Sequence, residues 1–268
     1  MNGQLSIFDF TMPYISVDKP IRLLEMFAGI GSQAMALRDL GANFEHYRMI
    51  EFDEHAVRSY NAIHGTNFPV TDIRNVHGTD LGIVDKDTFT YLLTYSFPCQ
   101  DLSAAGKRKG MKKGSGTRSG LLWEVERLLK ETPELPDILL MENVPEVIGA
   151  NNIYDFHLWQ DFLASKGYTN YVKLLNAKNY GIPQNRERCF MVSILGEYNY
   201  HFPEPIPLET CIDDFCEDDV NESFYINTPK AQEMIRKAIE DGRIEVKQID
   251  NGIELTPGEN HFGQGESF

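Results

Sequence analysis

The chain has 268 residues, 42% hydrophobic and 24% charged, with a formal net charge of −15. These are the proportions of an ordinary globular protein, long enough for one large domain or a domain with an appendage. No apolar run approaches the roughly 18 residues that span a bilayer, residues 1–10 lack the basic start and apolar core of a secretory signal, and four cysteines (Cys99, Cys189, Cys211, Cys216) are too few for a disulfide scaffold, so composition excludes a membrane role and points to a reduced, cytoplasmic setting.

The distribution of charge matters more than its total. From His201 onward 16 acidic residues stand against five basic ones, a net of −11, so the first 200 residues carry only −4. Within those, Lys107 to Arg118 holds six basic residues and no acid (Lys107, Arg108, Lys109, Lys112, Lys113, Arg118). A solvated loop is the plain account of such a run, and a phosphate-holding loop is the functional one. The acidic tail would repel a nucleic acid unless it faces away or is covered.

In chain order, a polar leader gives way to Ile21 to Met26, which reads as a short buried strand. A glycine-rich turn follows, then a helix from about Ser32 to Leu40 that Gly41 ends. Tyr47 to Ile50 predicts a second strand and Glu54 to His64 a helix closed by Gly65. Tyr91 to Phe97 and Ile138 to Met141 are further buried strands, and between them Leu121, Leu122, Val125, Leu128 and Leu129 recur at helical spacing. Phe156 to Leu163 predicts a helix, and Tyr171 to Leu175 and Cys189 to Leu195 two more strands. Alternating strands and helices predict an α/β fold, a mainly parallel sheet with helices on both faces. Past Tyr200 the pattern breaks into prolines at 203, 205 and 207, an acidic stretch and one helix around Ala231 to Ile239.

Four motifs fall at the ends of these strands, where open α/β sheets gather their ligands. Phe27-Ala28-Gly29-Ile30-Gly31, extended to Ala34, fits the G-x-G-x-x-G/A fingerprint, and Glu51 lies 20 residues past Gly31 at the end of the next strand. The glycines let a ligand approach the backbone, and the acid can accept from two ribose hydroxyls. A nicotinamide dinucleotide and S-adenosylmethionine satisfy this pattern equally, and a tight turn without a ligand also produces it. Ser96-Phe97-Pro98-Cys99-Gln100 places a cysteine just after a buried strand, a candidate nucleophile where a small core residue is the plain alternative. Glu142-Asn143-Val144-Pro145 ends another strand with an acid placed to share a proton. In Gln184-Asn185-Arg186-Glu187-Arg188, an extended course would turn Gln184, Arg186 and Arg188 to one side, three long donors suited to a phosphate and a base carbonyl. The Cys211 and Cys216 pair lacks the partners of a structural zinc site, and no metal site is expected.

Together, in this order, these motifs closely resemble the cytosine-5 DNA methyltransferase family over about residues 20 to 207. The dehydrogenase reading has no need of the cysteine, acid and arginine set. The resemblance implies a Rossmann-like methyltransferase fold, incomplete at its C-terminus, that binds S-adenosyl-L-methionine and releases S-adenosyl-L-homocysteine. It assigns Phe27, Gly29, Ile30 and Gly31 to the cofactor loop, Glu51 and Phe52 to the ribose, Asp72 and Ile73 to the adenine, and Pro98 and Leu121 to the cofactor wall. It makes Cys99 the nucleophile, Glu142 the acid, and Arg186 and Arg188 the catalytic arginines. Double-stranded DNA is the implied partner, held by Gln100, Ser103, Lys107, Arg108, Lys109, Arg118 and Gln184, with the target cytosine flipped out.

The implied layout is a leader (1–18), the cofactor-binding and catalytic domain (19–207), and an acidic linker opening a target-recognition region (208–268). His261-Phe262-Gly263-Gln264-Gly265-Glu266 resembles the start of that region, and the remainder and the family's last motif are not seen. The expectation is therefore a restriction-modification or phage-type enzyme, split or truncated, with a complementing chain carrying the missing part. A non-catalytic binding subunit and a tRNA cytosine methyltransferase are the alternatives. Finally, Gln4-Leu5-Ser6-Ile7-Phe8 resembles the short peptide by which bacterial proteins dock onto the sliding clamp, a tether that would raise local concentration at new DNA.

Overall fold

The computed structural model describes residues 12–99, 102, 110–114, 116–217, 219–224, 226–249 and 252–257. The expectations for Gln100, Ser103, Lys107, Arg108 and Lys109, for the clamp-like peptide at 4–8 and for the stretch at 261–266 lie outside the described residues. The chain divides into two compact units: one runs through Asn176 and resumes over Glu187–Pro205, the other joins Ala177–Arg186 to the described residues from Ile206 onward.

The first unit is an α/β sandwich. Its strands are β1 (Ile21–Met26), β2 (Phe44–Ile50), β3 (Thr90–Tyr95), β4 (Ile138–Asn143), β5 (Tyr168–Asn176) and β6 (Glu187–Leu195), in the order β2-β1-β3-β4-β6-β5. The pairs among β2, β1, β3 and β4 are parallel, whereas β6 runs antiparallel to both β4 and β5. The chain leaves β1 toward β2 and comes back across it to β3. The loops after β1 and β3 therefore part and leave a crevice at their carboxyl ends.

Four helices connect the strands: α1 (Ser32–Asp39), α2 (Glu54–His64), α3 (Leu122–Glu131) and α4 (Ile153–Ser165). Local chemistry sets their limits. The Asp53 carboxylate accepts from the amides of His55 and Ala56 at 2.9 and 3.0 Å, and Gly65 takes the left-handed turn (φ 65°) that ends α2. Helix α3 buries Leu122, Val125, Leu128 and Leu129 at helical spacing. Helix α4 buries Phe156, Trp159 and Leu163, and the Trp159 indole donates to the Tyr95 hydroxyl at 3.0 Å, which satisfies a fully buried polar tip.

The two faces of the sheet are not equally covered. Leu24, Leu93, Leu139, Met141 and Met191 share one core with α3 and α4 and are fully buried. On the opposite face, which α1 and α2 cover over β1 and β2, Thr94, Val192 and Ile194 are buried but Leu92, Ile138, Leu140 and Phe190 remain half-buried.

In the second unit Ile206 donates its amide to the Asn179 carbonyl at 2.9 Å, and the Thr210 hydroxyl donates to Gly181 at 2.9 Å. Helix α5 (Pro229–Glu240) starts at Thr228, whose hydroxyl accepts from the Ala231 amide, and buries only Ala238 while Met234 is 67% exposed. An antiparallel hairpin follows, β7 (Ile244–Ile249) with β8 (Gly252–Pro257), where no strands were predicted. In the first unit every predicted element is present, with β2 starting at Phe44 instead of Tyr47 and β5 at Tyr168 instead of Tyr171.

Candidate active site

The chain turns sharply after β1. Phe27, Gly29 and Gly31 all have positive φ (59°, 56° and 81°), a course that costs glycine little and any other residue more. The Phe27 amide donates to the Ile50 carbonyl at 2.8 Å, tying the loop to the end of β2. Glu51 is fixed in turn: one carboxylate oxygen accepts from the Gly29 amide at 3.1 Å, the other from the amides of Phe52 and Asp53 at 2.9 Å each. The predicted ribose acid thus faces the glycine loop with its position set by three backbone donors.

Beside it opens a cavity of about 540 Å³ lined among others by Phe27, Glu51, Phe52, Asp72, Ile73, Pro98, Arg118 and Leu121. Seven of the ten residues expected at the cofactor wall it; Gly29, Ile30 and Gly31 do not, and Gly29 acts through Glu51 instead. The size suits a nucleoside-bearing ligand. An apolar wall (Phe27, Ile50, Phe52, Ile73, Leu121) faces carboxylates at Glu51, Asp53 and Asp72. That composition matches an adenine ring, a ribose diol and a cationic amino-acid tail, so the residues present fit S-adenosylmethionine. Asp72 caps a single helical turn over Ile73–Asn75 and holds the Arg74 guanidinium at 2.5 Å, which keeps its carboxyl below the usual range. Arg74, Thr71 and Asp53 also line the cavity and carried no motif by which the sequence could mark them.

The cysteine loop leaves β3 next to β4 and is held from two sides. The Asn143 amide donates to the Phe97 carbonyl at 2.9 Å, and the Ser119 hydroxyl donates to the Pro98 carbonyl at 2.7 Å. Cys99 itself is half-buried against the main core. Cys189 is the contrasting thiol: burial, helped by the Glu142 charge, pushes it up to about 12, and it is inert as a nucleophile near neutrality. One residue before Asn143, Glu142 pairs with Arg188 of β6, Nε to carboxylate 3.1 Å. The sheet therefore brings together Cys99's loop, Glu142 and Arg188 beside the cavity that Pro98 helps to line.

The extended course expected through Gln184, Arg186 and Arg188 is interrupted. The Arg186 amide donates to the Gln184 carbonyl at 2.9 Å, so Gln184 to Arg186 closes as a tight turn and the strand begins only at Glu187. Arg188 alone is on the strand; Gln184 and Arg186 belong to the second unit. Of the basic run, Lys113 is committed to Glu126 on α3, and Arg118 stands at the cavity wall. Among the described residues no cluster of His, Cys, Asp and Glu could hold a metal, and no helix is long and apolar enough to cross a membrane.

The sequence model of the family described as C-5 cytosine-specific DNA methylase matches residues 21–258. The chain belongs to this family. Its 34% identity to the type II methyltransferase M2.ScrFI of Lactococcus lactis subsp. cremoris extends over 254 residues, 77% of this chain and 70% of that one. To the orphan methyltransferase M.SssI of Spiroplasma monobiae it is 49% identical over 131 residues, 48% of this chain but only 32% of the relative. M.HhaI of Haemophilus parahaemolyticus is 32% identical over 72% of this chain and 56% of its own. The chain spans from about a third to 70% of the length of these relatives. In fold it is similar to the Dnmt2 methyltransferase of S. pombe (TM-score 0.63, 20% identity, 82% of this chain and 66% of that one). It is also similar to the methyltransferase EhMeth of Entamoeba histolytica (TM-score 0.65, 19% identity, 84% and 67%). The α/β fold read from the strand pattern, and the Rossmann-like methyltransferase fold that the resemblance implied, is the one found.

Proposed function

We propose that this chain carries the cofactor-binding and catalytic part of a DNA cytosine-5 methyltransferase of the restriction-modification or phage type. The carrying observation is the convergence at one sheet edge of the Cys99 loop, held to β4 by Asn143, the Glu142–Arg188 pair and the Glu51 cavity. When bound, S-adenosylmethionine supplies a methyl group activated by its sulfonium. Carbon 5 of cytosine is too weak a nucleophile to take it unaided. In the proposed step the Cys99 thiolate bonds to carbon 6, which makes carbon 5 enamine-like. Glu142 holds ring nitrogen 3 and the exocyclic amine, stabilising charge as the sulfur adds. Arg188 keeps Glu142 in place and reaches the base carbonyl, and Arg186 holds the flanking phosphate or the loop bearing Lys107, Arg108 and Lys109. After carbon 5 takes the methyl, its proton passes to water and the carbon–sulfur bond breaks, returning the thiolate.

The partner in this reading is double-stranded DNA, with the cytosine flipped into the site. A complementing chain carrying the rest of the target-recognition region is also proposed. One observation supports it: Leu92, Ile138, Leu140 and Phe190 form a half-buried patch on one sheet face, whereas sheets of this kind are normally covered on both faces. Docking of residues 4–8 onto a sliding clamp rests on the sequence match alone.

DNA containing 5-fluorocytosine tests the covalent step, because fluorine on carbon 5 leaves no proton to remove and the adduct persists. With the complementing chain and cofactor supplied, the full chain is expected to form a denaturation-resistant complex, and Cys99→Ala none. An adduct that survives in Cys99→Ala overturns the assignment.

A further inference from the structure

Four titratable side chains of the first unit that the proposed chemistry does not use meet behind the glycine loop. None of them lines the cavity. Glu25 on β1 and Tyr60 on α2 are each 1% exposed, and the Tyr60 hydroxyl donates to the Glu25 carboxylate at 2.5 Å. His46 on β2 has its Nδ1 2.7 Å from the same hydroxyl. One turn beyond Tyr60, the His64 ring lies 4.5 Å from the Tyr60 ring and 4.8 Å from His46, centre to centre. Its Nε2 is 3.0 Å from the carbonyl of Ile30, the residue between the two loop glycines.

The proton positions follow from what each atom can do. A carbonyl only accepts, so Nε2 of His64 carries the hydrogen. Tyr60 has one proton and gives it to Glu25, so its oxygen accepts from Nδ1–H of His46. Burial, with His64 nearby, pushes the His46 pKa down, which suits a neutral ring in that role.

The same two α2 rings press against the loop. A β-carbon on Gly31 would lie 2.4 Å from His64 Nε2 and 2.6 Å from Tyr60 Cε2. Residue 31 is therefore glycine for two independent reasons, its φ of 81° and the rings packed against it. The loop is gripped on both sides: Glu51 takes the Gly29 amide, and His64 gives a hydrogen bond to the Ile30 carbonyl.

We propose that Tyr60 and His64 are positioning residues that hold Gly29 to Gly31 in the course the cofactor requires, with Glu25 and His46 anchoring Tyr60. This rests on the reading of the Glu51 cavity as the S-adenosylmethionine site. His64 is half-buried at the end of its helix, so its replacement should leave the fold intact. In the full chain, His64→Ala is expected to weaken S-adenosylmethionine binding about three- to tenfold by calorimetry, the equivalent of one lost hydrogen bond. It should also speed amide hydrogen exchange at Gly29 to Ser32 in the cofactor-free protein. His64→Gln, whose Nε2–H reaches the same carbonyl, should restore both. Tyr60→Phe keeps the ring against Gly31 but loses both polar links, and should fall between. A merely structural role would lower the melting temperature without rescue by Gln. Equal affinity of wild type and His64→Ala, or failure of His64→Gln to rescue, overturns the inference alone. Absence of binding by the wild-type chain overturns the cofactor reading and the inference with it.

Discussion

Leu139 and Leu140 are neighbours on one strand with opposite fates. Leu139 points into the core shared with α3 and α4 and is fully buried, whereas Leu140 points to the other face and is half-buried. The same contrast separates Leu93, Met141 and Met191 from Leu92, Ile138 and Phe190. One face is a finished protein interior. The other is closed over β1 and β2, where α2 sets Val57 and Tyr60 against Met49 and Ala28 to form a small second core, and at Thr94, Val192 and Ile194, but it leaves a half-buried patch at Leu92, Ile138, Leu140 and Phe190. The cofactor loop is built on the finished part of that face, so its geometry does not wait on whatever completes the rest.

The closed face sets the largest expected effect. Leu139→Ala should destabilise the first unit by about 3–5 kcal/mol, the range for a buried leucine whose surroundings collapse little. Trp159→Ala on α4 should cost at least as much, since it also strands the Tyr95 hydroxyl. Urea unfolding followed by tryptophan fluorescence measures the first, through Trp123 and Trp159. A loss below about 1 kcal/mol for Leu139→Ala would mean that this face packs loosely too, and the contrast would disappear.

An intermediate effect comes from a polar tie on the closed side. The Glu126 side chain on α3, only 7% exposed, bonds to Lys130 at 2.6 Å and to Lys113 of the basic run. Burial raises its carboxyl, but the two ammonium groups outweigh burial and hold it below the usual carboxylate range. A depressed acid contributes stability above its unfolded value and loses it as pH falls through the folded one. Glu126→Gln should therefore cost about 1–2 kcal/mol at pH 7, with the gap between variant and wild type closing below about pH 4. A gap of the same size at pH 7 and pH 3 would show that the carboxylate charge contributes nothing.

What the sequence could show of this arrangement depended on range. Asp53 and Gly65 bound α2 by local rules, and Ile21 to Met26 reads as buried from its composition alone. The antiparallel entry of β6 between β4 and β5 depends on pairing partners far apart in the chain, and periodicity is silent about direction. The β7–β8 hairpin did have a local mark in the sequence, the turn-favouring Asp250-Asn251-Gly252 stretch between the alternating runs Ile244 to Ile249 and Ile253 to Leu255, hidden by the acidic, proline-rich segment before it. At the site, Cys99, Glu142 and Glu51 were visible as motifs at strand ends. Asn143's bond to Phe97 spans 46 residues and exists only because β3 and β4 pair in one register. The extended course expected through Gln184, Arg186 and Arg188 was broken for a local reason: the backbone closes on itself between Gln184 and Arg186.

The smallest expected effect is the most informative about what is missing. Leu140→Ala removes the same three heavy atoms as Leu139→Ala, one residue away, with the same helix and strand propensities at stake. The difference between the two costs therefore measures burial and little else. Full burial of a leucine side chain is worth about 1.5–3 kcal/mol, and a half-covered one should lose roughly 1 kcal/mol with no rigid cavity left behind. In the chain alone, then, the two neighbours should differ about threefold or more in cost. Adding the complementing chain should bury Leu140 and raise its cost toward that of Leu139, while Leu139→Ala stays where it was. Equal costs for both in the chain alone would mean that the second face is already closed. A Leu140→Ala cost that does not rise with the added chain would place that chain's contact elsewhere than over Leu92, Ile138, Leu140 and Phe190.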